Sequence, residues 1–156
     1  MKTSRILIIS IILILAFVFG FFIFKKNTIE ILDENGSKGN IKVRIADTPK
    51  KRELGLSNTK KLTKGTGMFF VHDVITDSPY WMIDMNYPLD IIFINEANKI
   101  VHIQKGAIPC QNDSECKLIY SPEKYKYVLE INSGEVDMLN IQIGDTLKTN
   151  SLTFVP

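Results

Sequence analysis

The chain has 156 residues, 45% of them hydrophobic and 23% charged, with a formal net charge of +2. That positive excess sits at the N-terminus, where Lys2, Arg5, Lys25 and Lys26 meet no acid; residues 27–156 hold 15 basic against 17 acidic side chains, a net of −2. This balance excludes the basic footprint of a nucleic-acid binder, and the length suffices for one compact domain beyond the N-terminal region.

The first element in the chain is the uncharged run Ile6 to Phe24, ILIISIILILAFVFGFFIF. As a helix it spans roughly 28 Å, close to the roughly 30 Å hydrocarbon core of a bilayer. It exceeds the apolar core of a cleaved signal and is followed by Lys25-Lys26 rather than by a small-residue cleavage pattern. The expectation is a retained signal anchor over residues 1–26, held in membrane lipid through residues 6–24, with residues 27–156 forming a single extracytoplasmic domain. Cleavage would instead make the protein secreted. The basic flanks are balanced, so orientation rests mainly on the additional terminal amine favouring the inside.

After Asn27 the strand signals dominate. TIEILDENG alternates apolar and polar residues up to Asn35-Gly36, and NIKVRIAD resumes the alternation, which predicts a hairpin. Thr48 before Pro49 suits a helix start, and Gly55 closes a short helix. Residues 67–72, 80–85, 89–95 and 99–104 read as strands, as does 126–132. Ser133 is the expected cap of a short helix through Leu139, and TLKTNSLTFVP adds one or two final strands. The prediction is a mostly-β small barrel or rolled antiparallel or mixed sheet of seven to nine short strands with two short helices, preceded by one transmembrane helix.

Cys110 and Cys116 are the only cysteines. Two thiolates cannot complete a zinc site, and in an oxidising compartment a disulfide between them is the expectation. Closing so short a loop contributes about 2 to 3 kcal/mol. The basic cluster Lys50, Lys51, Arg52, Lys60, Lys61 and Lys64 reads as a solvated face or a contact with lipid headgroups.

Several segments together resemble the DUF192 family: KRELGL (51–56), GMFF (67–70), YWMIDMNYPLDIIFI (80–94), KIVHI with the following Pro109-Cys110, YVLEI (127–131) and IQIGD (141–145). Gly55, Gly67, Trp81, Met82, Pro88, Leu89, Asp90, Glu130, Gly134 and Gly144 keep the family pattern. Asp84 and Met85 stand where Asn-Thr is usual, and Lys51 replaces the usual glutamate before Arg52. The resemblance implies a small mostly-β fold, often with an N-terminal signal or anchor, and no agreed activity.

The candidate polar residues are Asp84, Asp90 and Glu130, with His72 and His102 on adjoining strands. Asp90 reads either as a structural acceptor of backbone N–H groups beside Pro88-Leu89 or as a general acid, base or metal ligand. Glu130 is a candidate partner for Arg52. Both histidines read as ordinary strand residues, and no metal motif, nucleophile elbow or phosphate loop occurs, so no metal or cofactor is expected. Tyr80, Trp81, Tyr87 and Phe93 cluster beside Asn86 and Asp84, either as a platform for a ligand or with Trp81 as the central core plug.

The function expected from these features is a non-catalytic, membrane-anchored accessory or binding domain, with Arg52, Tyr80, Trp81, Asn86 and Tyr87 as candidate binding residues and an integral-membrane or envelope protein as a possible partner. The alternative is a small hydrolase or metal-dependent enzyme using Asp90 with Asp84, His102 or Glu130.

Overall fold

A computed structural model describes residues 27–149, apart from 113 and 115. The expected anchor and the last segment, 150–156, lie outside the described residues. Among the described residues no helix is long and apolar enough to cross a membrane.

Strands β1 (Thr28–Asp33) and β2 (Gly36–Ala46) form the expected antiparallel hairpin, bulged between Ile31 and Leu32. Its turn is Glu34-Asn35, one residue earlier than the Asn-Gly pair suggested, because the Asp33 carboxylate accepts from the Asn35 N–H at 2.7 Å and closes the turn there. Gly36 then enters β2 with φ of 127°, a conformation that disfavours a side chain. Helix α1 (Pro49–Leu54) follows, capped by Thr48, whose hydroxyl accepts from the Lys51 N–H. It crosses over to β3 (Thr66–Thr76), which runs parallel to β2.

The remaining strands are β4 (Leu89–Ile94), β5 (Ile100–Ala107), β6 (Tyr125–Asn132) and β7 (Thr146–Thr149), with α2 (Glu135–Met138) between the last two. Among the described residues the seven strands make one mixed sheet in the order β5-β4-β6-β3-β2-β1-β7. The sheet curls into a half-barrel whose outer strands meet: the Ile100 N–H donates to the Asp145 carbonyl and the Leu147 N–H to the Asn98 carbonyl, both at 2.8 Å. Lys38 on β2 secures the same corner, its ammonium lying 2.8 Å from Asp145.

Residues 80–85, expected as a strand, form only isolated bridges, Tyr80 with Ile119 and Ile83 with Cys110. Asp84 has φ of 55°, which breaks an extended run, and Pro88 follows shortly afterwards. The segment lies across the outer face of the sheet and buries Met82, Met85 and Tyr87, which is why its apolar pattern imitates a strand. The expected Cys110–Cys116 disulfide is present, and the Cys110 N–H donates to the Met82 carbonyl, tying the bridged loop to this segment.

Two apolar cores result. Inside the curl, Ile29, Ile41, Phe69, Ile92, Leu129 and Val136 pack together; on the outer face Leu56, Phe70, Met82, Phe93 and Tyr125 do so under the covering loops. Gly67 permits β3 to approach β6 closely, since a Cβ there would stand 2.5 Å from the Glu130 carbonyl oxygen.

Asp90 joins the sheet to its inner cover. It is 1% exposed and accepts three backbone N–H groups: Gly106 at 2.9 Å on one oxygen, Gly134 at 2.9 Å and Val136 at 3.0 Å on the other. The expected Ser133 cap is not used; α2 starts after Gly134 without a local side-chain cap, and Asp90 reaches its first N–H groups from β4. Three hydrogen bonds to a buried carboxylate are each worth about 1.5 to 3 kcal/mol. Asp90→Ala is therefore expected to lower unfolding free energy by roughly 3 kcal/mol or more in a denaturant titration, whereas a change below about 1 kcal/mol would deny this residue its bracing role.

Candidate functional site

The outer face of β3 and β6 is not completely filled. Between that face, the end of α1 and the segment 78–85 lies a cavity of about 260 Å³, lined by Arg52, Phe70, His72, Tyr80, Trp81 and Glu130 among others. Strand alternation explains the floor. Glu130 shares its face with Val128 and stands opposite Met68 on β3 and Ile91 on β4, all apolar positions.

Glu130 is 5% exposed. No hydrogen bond or ion pair from the described residues reaches its carboxyl group, and burial pushes its pKa up to about 8. It therefore holds its proton through most of the neutral range. Beside it, His72 Nε2 and the Tyr80 hydroxyl share a hydrogen bond of 2.9 Å. Burial, reinforced by the positive charges of Arg52 and Lys126 against the opposing pull of Asp73, lowers the His72 pKa to about 4, so its imidazole is neutral. Tyr80 is raised well above the usual phenol value, first by burial and then by the Glu130 charge. The Tyr125 hydroxyl donates to the Ser78 carbonyl and supports the wall from below.

Aromatic rings hold this wall in place. Tyr80 meets Phe70 edge-on at 5.5 Å and Phe93 at 5.8 Å, while Tyr125 meets Phe93 at 4.9 Å and His72 at 5.4 Å. Tyr80 thus occupies the interior position considered for Trp81, which is instead 54% exposed at the cavity. A second hollow of about 350 Å³ beside the disulfide has no histidine or carboxylate in its lining.

The family model of DUF192, described as "Uncharacterized ACR", matches residues 30–149. The chain belongs to the DUF192 family. A UPF0127 protein from Thermococcus sibiricus is 29% identical over 117 residues, 72% of this chain and 71% of that protein. Among solved structures, a proposed transcription regulator from Sinorhizobium meliloti 1021 superposes with a TM-score of 0.73 at 29% identity, covering 81% of this chain and 95% of its own. A protein of unknown function from Novosphingobium aromaticivorans does so with a TM-score of 0.70 at 25% identity, covering 78% and 83%.

Within this DUF192 domain the candidate residues separate. Asp90 pairs in register with Ile131 and Glu130 with Ile91, so the two carboxylates leave opposite faces of the sheet. Asp84 is exposed, and His102 on β5 packs its ring 5.6 Å from Phe93 outside the cavity lining. Asp84, Asp90, Glu130 and His102 therefore do not meet in one pocket. Among the described residues no three of His, Cys, Asp and Glu are grouped to hold a metal ion.

Of the aromatic and polar binding candidates, Arg52, Tyr80 and Trp81 line the cavity. Asn86 and Tyr87 do not: the Asn86 amide donates to the Thr59 carbonyl and the Tyr87 hydroxyl bonds the Thr59 hydroxyl, so both hold a loop. Nor does Arg52 pair with Glu130. The last turn of α1 brings its guanidinium to the Val71 carbonyl and the Asp73 carboxylate, both at 2.7 Å. Phe70 was not among the sequence candidates and His72 reads there as an ordinary strand histidine; both share the outer face of β3 with Met68, and that alternation was a usable signal.

Because the Glu130 pKa stands near 8 when folded against 4.5 ordinarily, the folded chain retains a proton that the unfolded chain releases in that window. This residue's contribution to stability therefore falls as pH rises from about 4.5 to about 8. His72 acts oppositely, losing stability as pH falls below 6.5 toward about 4. Glu130→Gln is expected to melt higher than the parent at pH near 8, with the difference vanishing near pH 4.5, in paired thermal unfolding scans. A Gln variant that melts lower at both pH values would contradict a buried, unpartnered carboxyl.

Proposed function

We propose that this protein is a membrane-anchored, extracytoplasmic binding domain, with the Glu130 cavity as its ligand site and no chemistry of its own. The observation that carries the reading is the buried Glu130 carboxyl, which has no partner from the described residues and faces an apolar hollow with an exposed tryptophan beside it. A carboxyl group walled by apolar side chains and opening only into a hollow, with its pKa raised by that burial, is a circumstance that clusters at sites of function. The cavity is slightly below the roughly 300 to 1,000 Å³ of typical ligand pockets, which suits a compact ligand.

Location rests on other features. The run Ile6 to Phe24 has the length and flanks of an anchor, and the Cys110–Cys116 disulfide belongs in an oxidising compartment. Only Asn27 separates residues 1–26 from β1, so the cavity works close to the lipid surface, within reach of an envelope partner. The transcription role proposed for the Sinorhizobium relative does not fit this reading, because residues 27–156 carry a net charge of −2 and offer no electrostatic footprint for DNA.

The reading is tested in two steps. After alkaline washing of membranes the full chain is expected in the pellet, open to protease added from outside; a soluble product lacking its first 20–27 residues would replace anchoring with secretion. Trp81→Ala, at an exposed position, is expected to change unfolding free energy by no more than about 0.5 kcal/mol. The same variant should lose any small-molecule adduct that native mass spectrometry detects on the parent purified from its own membranes.

A further inference from the structure

The cavity has a chemical polarity that narrows what it accepts. Its ionisable lining consists of Glu130 on β6, His72 on β3, Tyr80 on the covering segment, and Arg52 and Glu53 on α1. Arg52 is already engaged by the Asp73 carboxylate and the Val71 carbonyl, and the imidazole of His72 is neutral. Two carboxyl groups, one buried and one at the exposed Glu53, thus stand against one guanidinium that has a partner. Around them lie the rings of Phe70, Tyr80 and Trp81, whose π faces attract cations.

We propose that the Glu130 cavity binds a small organic amine: an apolar or aromatic body filling the hollow under Trp81, with a protonated amino group paired to the Glu130 carboxylate. The inference deepens the binding reading above and rests on it. A buried carboxyl without a partner is costly, and an ammonium removes that cost by supplying both the opposite charge and hydrogen-bond donors. Binding is coupled to proton release, since the free protein holds Glu130 protonated near neutrality and the ammonium selects its ionised form. Affinity for the cation therefore rises with pH until Glu130 is ionised in the free protein as well. Of the other groups facing the cavity, His72 has its pKa lowered to about 4 and Tyr80 is raised well above the usual phenol value, both first by burial, so neither changes charge between about pH 6 and about pH 8; Arg52 and Glu53 on α1 complete the charged lining.

Trp81 is the chain's single tryptophan and stands at the cavity, so its fluorescence reports occupancy. The test titrates the full chain, purified in detergent with empty micelles as blank, with phenethylamine, its neutral isostere phenethyl alcohol, and the anion hydrocinnamate. Phenethylamine is expected to give a saturable change, bound at least about tenfold more tightly at pH near 8 than the alcohol, with affinity rising up to about tenfold per pH unit from about pH 6 and flattening above about 8. Glu130→Gln is expected to abolish both the preference and the slope; if that variant does not fold, the pH series and the alcohol comparison on the parent decide. Equal or tighter binding of the alcohol, tighter binding of hydrocinnamate, or an amine preference surviving in Glu130→Gln overturns the amine assignment while leaving a binding pocket. No saturable change with any of the three probes overturns both the amine assignment and the cavity as ligand site.

Discussion

Asp90 stands where the sheet and its inner cover have to be held together. From the middle layer of the fold its carboxylate reaches the end of β5 at Gly106 and the first turn of α2 at Gly134 and Val136, segments separated by dozens of residues in the chain. A buried anion tolerates such a place only when its oxygens are fully used, and here three backbone donors use them. The same bonds fix the register of β4, since a one-residue slip would turn the carboxylate to the opposite face and carry Ile91 and Phe93 away from the outer core.

That register determines what happens on the other side of the sheet. With Asp90 facing inward, Ile91 and its neighbour Glu130 face outward, beneath the segment 78–85. The two carboxylates are one residue pair apart across β4 and β6, yet they live in opposite circumstances. Asp90 is surrounded by donors and braces the fold; Glu130 has none from the described residues, and the fold bears the desolvation of its carboxyl group. A group that is held at a cost to stability, beside a neutral histidine and a tyrosine already bonded to each other, is the usual circumstance of a site kept ready for something external.

Much of the fold was legible because it is local. The hairpin of β1 and β2, the Thr48-Pro49 helix start, and β4, β5 and β6 follow from apolar patterning and capping chemistry, and the Cys110–Cys116 bridge joins the only two cysteines, which lie in one short loop. The errors also have physical causes. Residues 80–85 imitate a strand because they bury Met82 and Met85 while crossing the sheet, and the left-handed backbone at Asp84 is invisible to a hydropathy pattern. Ser133 was a reasonable cap for α2 until Asp90 supplied those acceptors from a distant strand. At the site, Tyr80, Trp81, Arg52 and Glu130 were within reach of sequence reasoning, but Arg52 was matched to the wrong acid, since the Asp73 carboxylate is its partner.

By itself the sequence determined the apolar run at residues 6–24, the slightly acidic remainder, a mostly-β chain with short helices, and two carboxylates, Asp90 and Glu130, in strands that otherwise read as apolar. These are properties of neighbouring residues and of period, and they need no knowledge of what lies opposite. The tertiary structure decided which carboxylate would be gripped and which left alone. That outcome depends on the order β4-β6-β3, on the reach of Gly106 and α2 to one face, and on the loop that covers the other without filling it. Strand order and loop placement are set by contacts far apart in the chain, where alternation specifies a face but not its neighbour.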